Sequence, residues 1–377
     1  MEYRKMEKLG IEVSLLGFGC MRFPTTKDGA IDEVEAGQML KKAYAAGVNY
    51  FDTAYPYHGG KSEVVLGKTM ADLPRDSFYM ATKLPVWKLK ETSDVLEVFN
   101  EQLGRLQTDY VDFYLLHSMD AERLETVEKL GILPILEDLK AKGAIRHLGF
   151  SFHDEYPVFE KIARMHDWDF CQIQLNYMDT DVQAGLKGYK LTEELGIPLV
   201  VMEPVKGGVL ATFPTSVAKP FADADPQAST ASWALRWVGT LPHVKVILSG
   251  MSSLAQVEDN LKTFDKFVPL SDKEQEAVAQ VKKELSARRR NGCTGCKYCM
   301  PCPAGVDIPH CFNLWNNLHV YENTQRAKDG WTSWLPAAAK PDNCVKCGQC
   351  EEACPQHISI RDDLEALNKE LNELCGA

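Results

Sequence analysis

Eight short runs rich in β-branched and aromatic residues recur through the first 285 positions, each followed by a helix-like stretch. They are SLLGFGC (14–20), VNYFDTA (48–54), FYMATKL (78–84), DFYLLHS (112–118), HLGFS (147–151), FCQIQLN (170–176), PLVVMEP (198–204) and KVILSG (245–250). Such runs are continuously apolar rather than alternating, as strands of a parallel sheet covered on both faces are. The intervening segments, such as EVEAGQMLKKAYAAG and DVLEVFNEQLGRL, are amphipathic and carry glycine at or near their ends as a helix stop. This pattern predicts an α/β fold, a (β/α)8 barrel of TIM type. A doubly wound open sheet is the alternative, but no GxGxxG follows the first strand. The leading RKMEKLGIEVS reads as a hairpin capping the barrel bottom.

Cysteine placement divides the chain a second time. Of 12 cysteines only Cys20 and Cys171 precede residue 293. The composition changes at SARRRNG, so we expect a barrel domain over 1–285 and a second domain over 286–377. In that second region Cys293, Cys296, Cys299 and Cys302 follow one another at three-residue steps, before Pro303. Cys344, Cys347, Cys350 and Cys354-Pro355 complete a full CxxCxxCxxxCP run, the bacterial motif for [4Fe-4S] clusters. Structural zinc sites instead pair two CxxC units across a longer loop. The segment resembles two-cluster ferredoxins. That resemblance implies crossed ligation, one cluster on Cys293, Cys296, Cys299 and Cys354 and the other on Cys302, Cys344, Cys347 and Cys350. The first run has two residues between Cys299 and Cys302 where the motif has three, which leaves a single-cluster protein as the alternative. Cys20, Cys171, Cys311 and Cys375 lack such context and read as buried apolar side chains or idle thiols; for Cys20, at a strand end, a substrate contact is the other reading.

In a barrel of this type chemistry gathers at the C-terminal ends of strands. Asp52 and Tyr57 follow the second run, Lys83 ends the third and His117 the fourth. A tyrosine hydroxyl protonates a carbonyl oxygen near neutral pH when neighbours lower its pKa, as a lysine ammonium held by a carboxylate does. His117 is suited to orient the same oxygen. FDTAYPYHGGKSE (51–63), ATK (81–83), LLHS (115–118), GFS (149–151), QIQLN (172–176) and SGMSSLAQVEDN (249–260) together resemble the aldo-keto reductase superfamily, over residues 3–285. The whole chain resembles its iron–sulfur fusions. The resemblance implies a carbonyl reductase fed by NADP or NAD, with Tyr57 as general acid, Lys83 and Asp52 as its tuning pair and His117 as substrate orienter. It further implies that Ser151 and Gln172 hold the nicotinamide carboxamide, that Gly250, Met251 and Ser252 line a phosphate site, and that Gln256 and Asn260 reach the adenosine end. Met202 stands where many relatives have an aromatic ring, and Gly250, Met251 and Gln256 occupy the stretch where many carry a basic residue for the 2′-phosphate.

The expected protein is therefore an oxidoreductase with a small-molecule carbonyl substrate and an electron-carrying domain, exchanging electrons with a ferredoxin or other redox partner. Hydride transfer moves two electrons together and a cluster moves one; a flavin would bridge the two, although no flavin motif is present. The alternative is an electron-transfer or regulatory subunit whose barrel binds nucleotide or flavin without turnover. With 53 acidic against 42 basic side chains the net charge is −11, which disfavours nucleic-acid partners. No run approaches the ~20 apolar residues of a membrane helix. MEYRKMEKLGIEV lacks the apolar core of a signal peptide, so a cytoplasmic location is expected.

Overall fold

The computed structural model describes residues 1–376. All eight expected runs become parallel strands of one closed barrel. Two further strands precede them, β1 (Tyr3–Met6) and β2 (Ile11–Ser14), which form the anticipated antiparallel hairpin with Met6 opposite Ile11. The barrel comprises β3 (Leu16–Gly19), β4 (Tyr50–Asp52), β5 (Tyr79–Leu84), β6 (Val111–Met119), β7 (Ile145–Phe152), β8 (Phe170–Gln174), β9 (Leu199–Met202) and β10 (Val244–Gly250). The strands pair in chain order, and β10 closes the ring against β3.

Met6 and Val13 of the hairpin are fully buried with Tyr50, Phe113, Phe170 and Val246. These residues lie toward the strand beginnings, so the hairpin plugs the end of the barrel opposite the catalytic candidates. Outside the strands, helices lay apolar faces on the sheet. In Asp94–Leu106 the buried positions are Val95, Val98, Phe99, Gln102 and Leu106, the spacing of one helix face. Gln102 is the polar member of that set. Gly149 on β7 has no room for a side chain, since a Cβ there would stand 2.5 Å from the Phe170 carbonyl oxygen.

Packing separates two compact units. The first, Met1–Gly207 with Ala231–Ser271, holds the barrel. The second takes Gly208–Thr230 together with the chain from Asp272 onward, so the helix Asp272–Ala287 and the loop carrying FPTSVAKPFADADPQAS lie in the same unit as the cysteine motifs. In the second unit the helices Ile308–Tyr321 and Ile360–Cys375 pack around Phe312, Trp315, Trp331, Leu364, Leu367 and Leu371. Among the described residues no helix is long and apolar enough to cross a membrane.

Candidate functional site

The register of the barrel brings the four catalytic candidates to one end. Asp52 pairs with Ala81 at the end of β4, and Lys83 follows two residues on along β5. Lys83 is fully buried, and its ammonium donates to Asp52 Oδ1 at 2.6 Å and to the Thr53 carbonyl at 2.6 Å. Beyond Asp52 the chain leaves the sheet. Tyr57 begins a tight turn in which His58, Gly59 and Gly60 all have left-handed φ (51°, 62° and 89°), a conformation two glycines accommodate. This turn folds Tyr57 back over Lys83, whose Nζ lies 5.1 Å from the ring centroid. The His117 ring meets Tyr57 edge-on at 6.0 Å.

Electrostatics assigns these groups different states. Burial works against the Lys83 ammonium, but Asp52 and Tyr57 outweigh it and hold its pKa above the ordinary lysine value. Burial also raises the Tyr57 hydroxyl, while the Lys83 charge and a hydrogen bond from it pull the other way. The expectation that neighbours lower the tyrosine therefore needs correcting: Lys83 moderates a rise caused by desolvation rather than producing a net drop. His117, 9% exposed, is held well below the usual imidazole range by burial and then by Lys83, so it is neutral at pH 7. Its Nδ1 is buried without a partner among the described residues. Cys20 is fully buried and its thiol is pushed well above the normal range, again chiefly by burial, which makes it inert.

Two groups of neighbours were not read from the sequence. Trp87, in the loop after β5, meets the His117 ring at a tilt, 5.0 Å between centroids, and remains 48% exposed. Its position four residues past Lys83 was the available signal. Behind Lys83 lies a closed polar network. Gln102 Nε2 donates to the Lys83 carbonyl at 3.0 Å and to Glu63 Oε1 at 2.7 Å; Thr82 and Arg105 also donate to Glu63, at 2.6 and 3.1 Å. Arg105 reaches the Tyr55 carbonyl at 3.3 Å, tying the Tyr57 loop to the same network. A Cβ on Gly60 would come within 2.9 Å of Arg105 Nη1.

Ser151 and Gln172 face each other in register on β7 and β8, and both are buried. The Ser151 Oγ accepts from the Ser118 N–H at 2.7 Å, leaving its own proton to donate. Gln172 Nε2 donates to the Met202 sulfur at 3.3 Å, and its Oε1 has no partner among the described residues. One free donor beside one orphaned acceptor complements a carboxamide, so the residues fit a nicotinamide. The stretch expected at the phosphate and adenosine lies apart, at the end of β10. There the helix Leu254–Asp265 starts under a Ser253 cap. Ser252 N–H donates to Gln256 Oε1 at 2.7 Å and Ser252 Oγ to the Arg22 carbonyl at 2.7 Å. Arg22 lies over Gly250, where a Cβ would meet its Cγ at 2.9 Å. Met251 is buried, and Asn260, also buried, donates to Ser249 Oγ at 2.6 Å.

In the second unit two cavities are walled by thiols. One, of about 220 Å³, is lined by Cys302, Cys344, Cys347 and Cys350, with Cys299 at its edge. The other, narrower, is lined by Cys293, Cys296, Cys299 and Cys354. Clustered thiols of this kind are a donor set that fits an iron–sulfur cluster. Among the described residues, no group of three or more His, Cys, Asp or Glu side chains closes on a single metal ion. Burial raises the Cys293 and Cys350 thiols and pushes Cys299 up to about 11, so cluster assembly must displace their protons.

Comparison with known proteins decides the family. The Aldo/keto reductase family model matches residues 15–283. The chain belongs to that family. A 4Fe-4S dicluster domain model matches residues 292–358, so this family member is an oxidoreductase-type barrel joined to an iron–sulfur domain. Probable aldo-keto reductase 1 of Glycine max is 26% identical over 305 residues, 72% of this chain and 86% of that protein. A probable voltage-gated potassium channel subunit beta of Arabidopsis thaliana is 23% identical over 72% of this chain and 93% of its own. Among solved structures, the holo form of aldo-keto reductase AKR11C1 from Bacillus halodurans superimposes with a TM-score of 0.62 at 26% identity, covering 74% of this chain and 96% of that one.

Proposed function

We propose that the barrel of this aldo/keto reductase reduces a small-molecule carbonyl with NADPH or NADH, and that its C-terminal unit carries two [4Fe-4S] clusters. The observation that carries the reading is the buried Lys83–Asp52 ion pair beneath the Tyr57 ring, with neutral His117 edge-on against the tyrosine. A reduced nicotinamide, when bound, supplies the hydride. Ser151 and Gln172 orient its carboxamide, and Tyr57 and His117 meet the substrate oxygen. As the carbonyl carbon gains hydride, Tyr57 gives its phenolic proton to the oxygen, and the Lys83 ammonium stabilises the phenolate left behind. Asp52 fixes Lys83 and keeps it charged. His117 donates from Nε2 as a neutral imidazole, which requires its free proton on that nitrogen and leaves Nδ1 as the acceptor.

The clusters supply one-electron transfer, and Cys293, Cys296, Cys299 and Cys354 with Cys302, Cys344, Cys347 and Cys350 would hold them. A ferredoxin or similar carrier is the redox partner this implies. The relative named as a channel beta subunit favours a second reading, in which the barrel binds nucleotide and serves a partner without turnover. Replacing Tyr57 by Phe separates the two. Loss of NAD(P)H-dependent reduction across an aldehyde panel, with nucleotide binding retained, supports the reductase; unchanged turnover removes Tyr57 from the mechanism.

A further inference from the structure

The pairing of β6 with β7 is irregular beside the site. Leu116 pairs with Phe150 and Met119 with Phe152, so β6 carries two residues, His117 and Ser118, where β7 carries only Ser151. An extra residue of this kind is a bulge, a device that re-aims a side chain at the rim of a barrel, and here it falls on His117. The bulge is also strained. Ser118 has φ 57°, in the left-handed region that suits glycine and is costly for a residue with a Cβ. Both backbone polar groups of Ser118 are engaged: its N–H donates to Ser151 Oγ at 2.7 Å, and its carbonyl accepts from Arg123 Nη1 at 2.9 Å. Arg123 is itself held in place. It lies in the first turn of the helix Ala121–Leu130, and the capping residue Asp120 accepts from its backbone N–H at 2.7 Å and pairs with its guanidinium. The guanidinium also lies over the Trp87 ring, 5.2 Å from its centroid, and that ring meets His117.

We propose that Arg123 is a positioning residue: by holding the Ser118 carbonyl it keeps the bulge in the left-handed turn that aims His117 at the substrate oxygen and fixes Ser151 for the nicotinamide carboxamide. The inference rests on the reductase reading above, which gives His117 and Ser151 those roles. Arg123 acts through the backbone and not on the reacting atoms. A charged donor on the Ser118 carbonyl offsets the cost of the strained turn, so both side chains are set before cofactor and substrate arrive.

The test is a substitution series in the full-length, anaerobically prepared protein. It is read as the NAD(P)H dissociation constant, by protein fluorescence, and as kcat/KM across an aldehyde panel. Arg123→Met keeps a stem against Trp87 and removes the donor; it should weaken both readouts by about 10- to 100-fold, the worth of one hydrogen bond from a charged group. Arg123→Lys keeps a cationic donor and should recover most of that loss. The decisive variants are at Ser118. In the Arg123→Met background, Ser118→Gly removes the cost of the left-handed φ and should bring both readouts back toward native values. Ser118→Ala lacks the hydroxyl equally but keeps the Cβ, and should not. A loss that came from packing on Trp87 or from surface charge would respond alike to Gly and Ala. Native values in Arg123→Met, or no difference between Gly and Ala in that background, overturns the assignment. Failure of the native chain to reduce any aldehyde overturns the reductase reading instead, and the binding series then still decides for or against the bulge.

Discussion

Replacing Lys83 by Met deletes the cation from a pair whose side chains are 0% and 4% exposed. Asp52 Oδ1 loses its Lys83 partner, and among the described residues Oδ2 already has none. Removing one partner from a buried pair costs about 3–5 kcal/mol, because the remaining charge is left uncompensated. A carboxyl in that position escapes the cost by taking a proton. Its pKa in the native chain is already raised, by burial, against the pull of Lys83; without Lys83 it rises further. The sign follows from linkage: a group whose folded pKa lies above its unfolded value stabilises fully below the unfolded pKa, about 3.9 for Asp, and that stability is lost as pH climbs through the folded pKa. The deficit of Lys83→Met relative to the native chain should therefore be smallest near pH 5 and grow as pH rises. Its slope is at most about 1.4 kcal/mol per pH unit, until Asp52 ionises in the variant as well. Urea unfolding of both full-length proteins, followed by circular dichroism at pH 5 and pH 8, measures this. A deficit below ~1 kcal/mol that does not change with pH would refute the claim that Lys83 and Asp52 form a buried charged pair.

Other consequences can be measured independently. Tyr57→Phe should lower kcat by ~10² to 10⁴-fold while leaving the dissociation constant for NAD(P)H within about twofold, as general acids of this kind contribute. Since His117 is held neutral by burial, kcat/KM should show no imidazole titration between pH 6 and 8; an inflection there that disappears in His117→Gln would contradict its neutral state. Gln172→Leu removes the orphaned acceptor, so nucleotide binding measured by protein fluorescence should weaken ~5 to 10-fold, one hydrogen bond's worth. Cys302→Ala should lower anaerobic iron content from about eight to about four per chain, provided Cys302 is a cluster ligand.

The barrel was legible because each strand is a continuous apolar run that only a doubly covered sheet buries. The boundaries were less so. The run 48–54 yields a strand of only Tyr50–Asp52, since the chain turns out of the sheet at Asp52 to bring Tyr57 over Lys83. Asp52, Tyr57, Lys83 and His117 were visible through their places at successive strand ends. The network that braces them was not: Gln102 looks like a lapse in the apolar face of its helix until Glu63, 39 residues away, is brought beside it. Nor does sequence give the balance of burial against charge that leaves the Tyr57 hydroxyl raised. The loop within Gly208–Thr230 reads locally as a barrel loop, and its packing into the unit that begins again at Asp272 is a long-range property.

The account is tested most directly by following deuterium from the reduced cofactor. Anaerobic full-length protein is given NADPH or NADH deuterated at the transferable position, together with a panel of aldehydes, and products are read by mass spectrometry for the native chain and for Tyr57→Phe. We predict deuterium on the carbon that bears the new hydroxyl, formed by the native chain and nearly absent with Tyr57→Phe. Alcohol that carries no deuterium, or equal yields from the two proteins, would contradict hydride transfer at this site with Tyr57 as the proton donor.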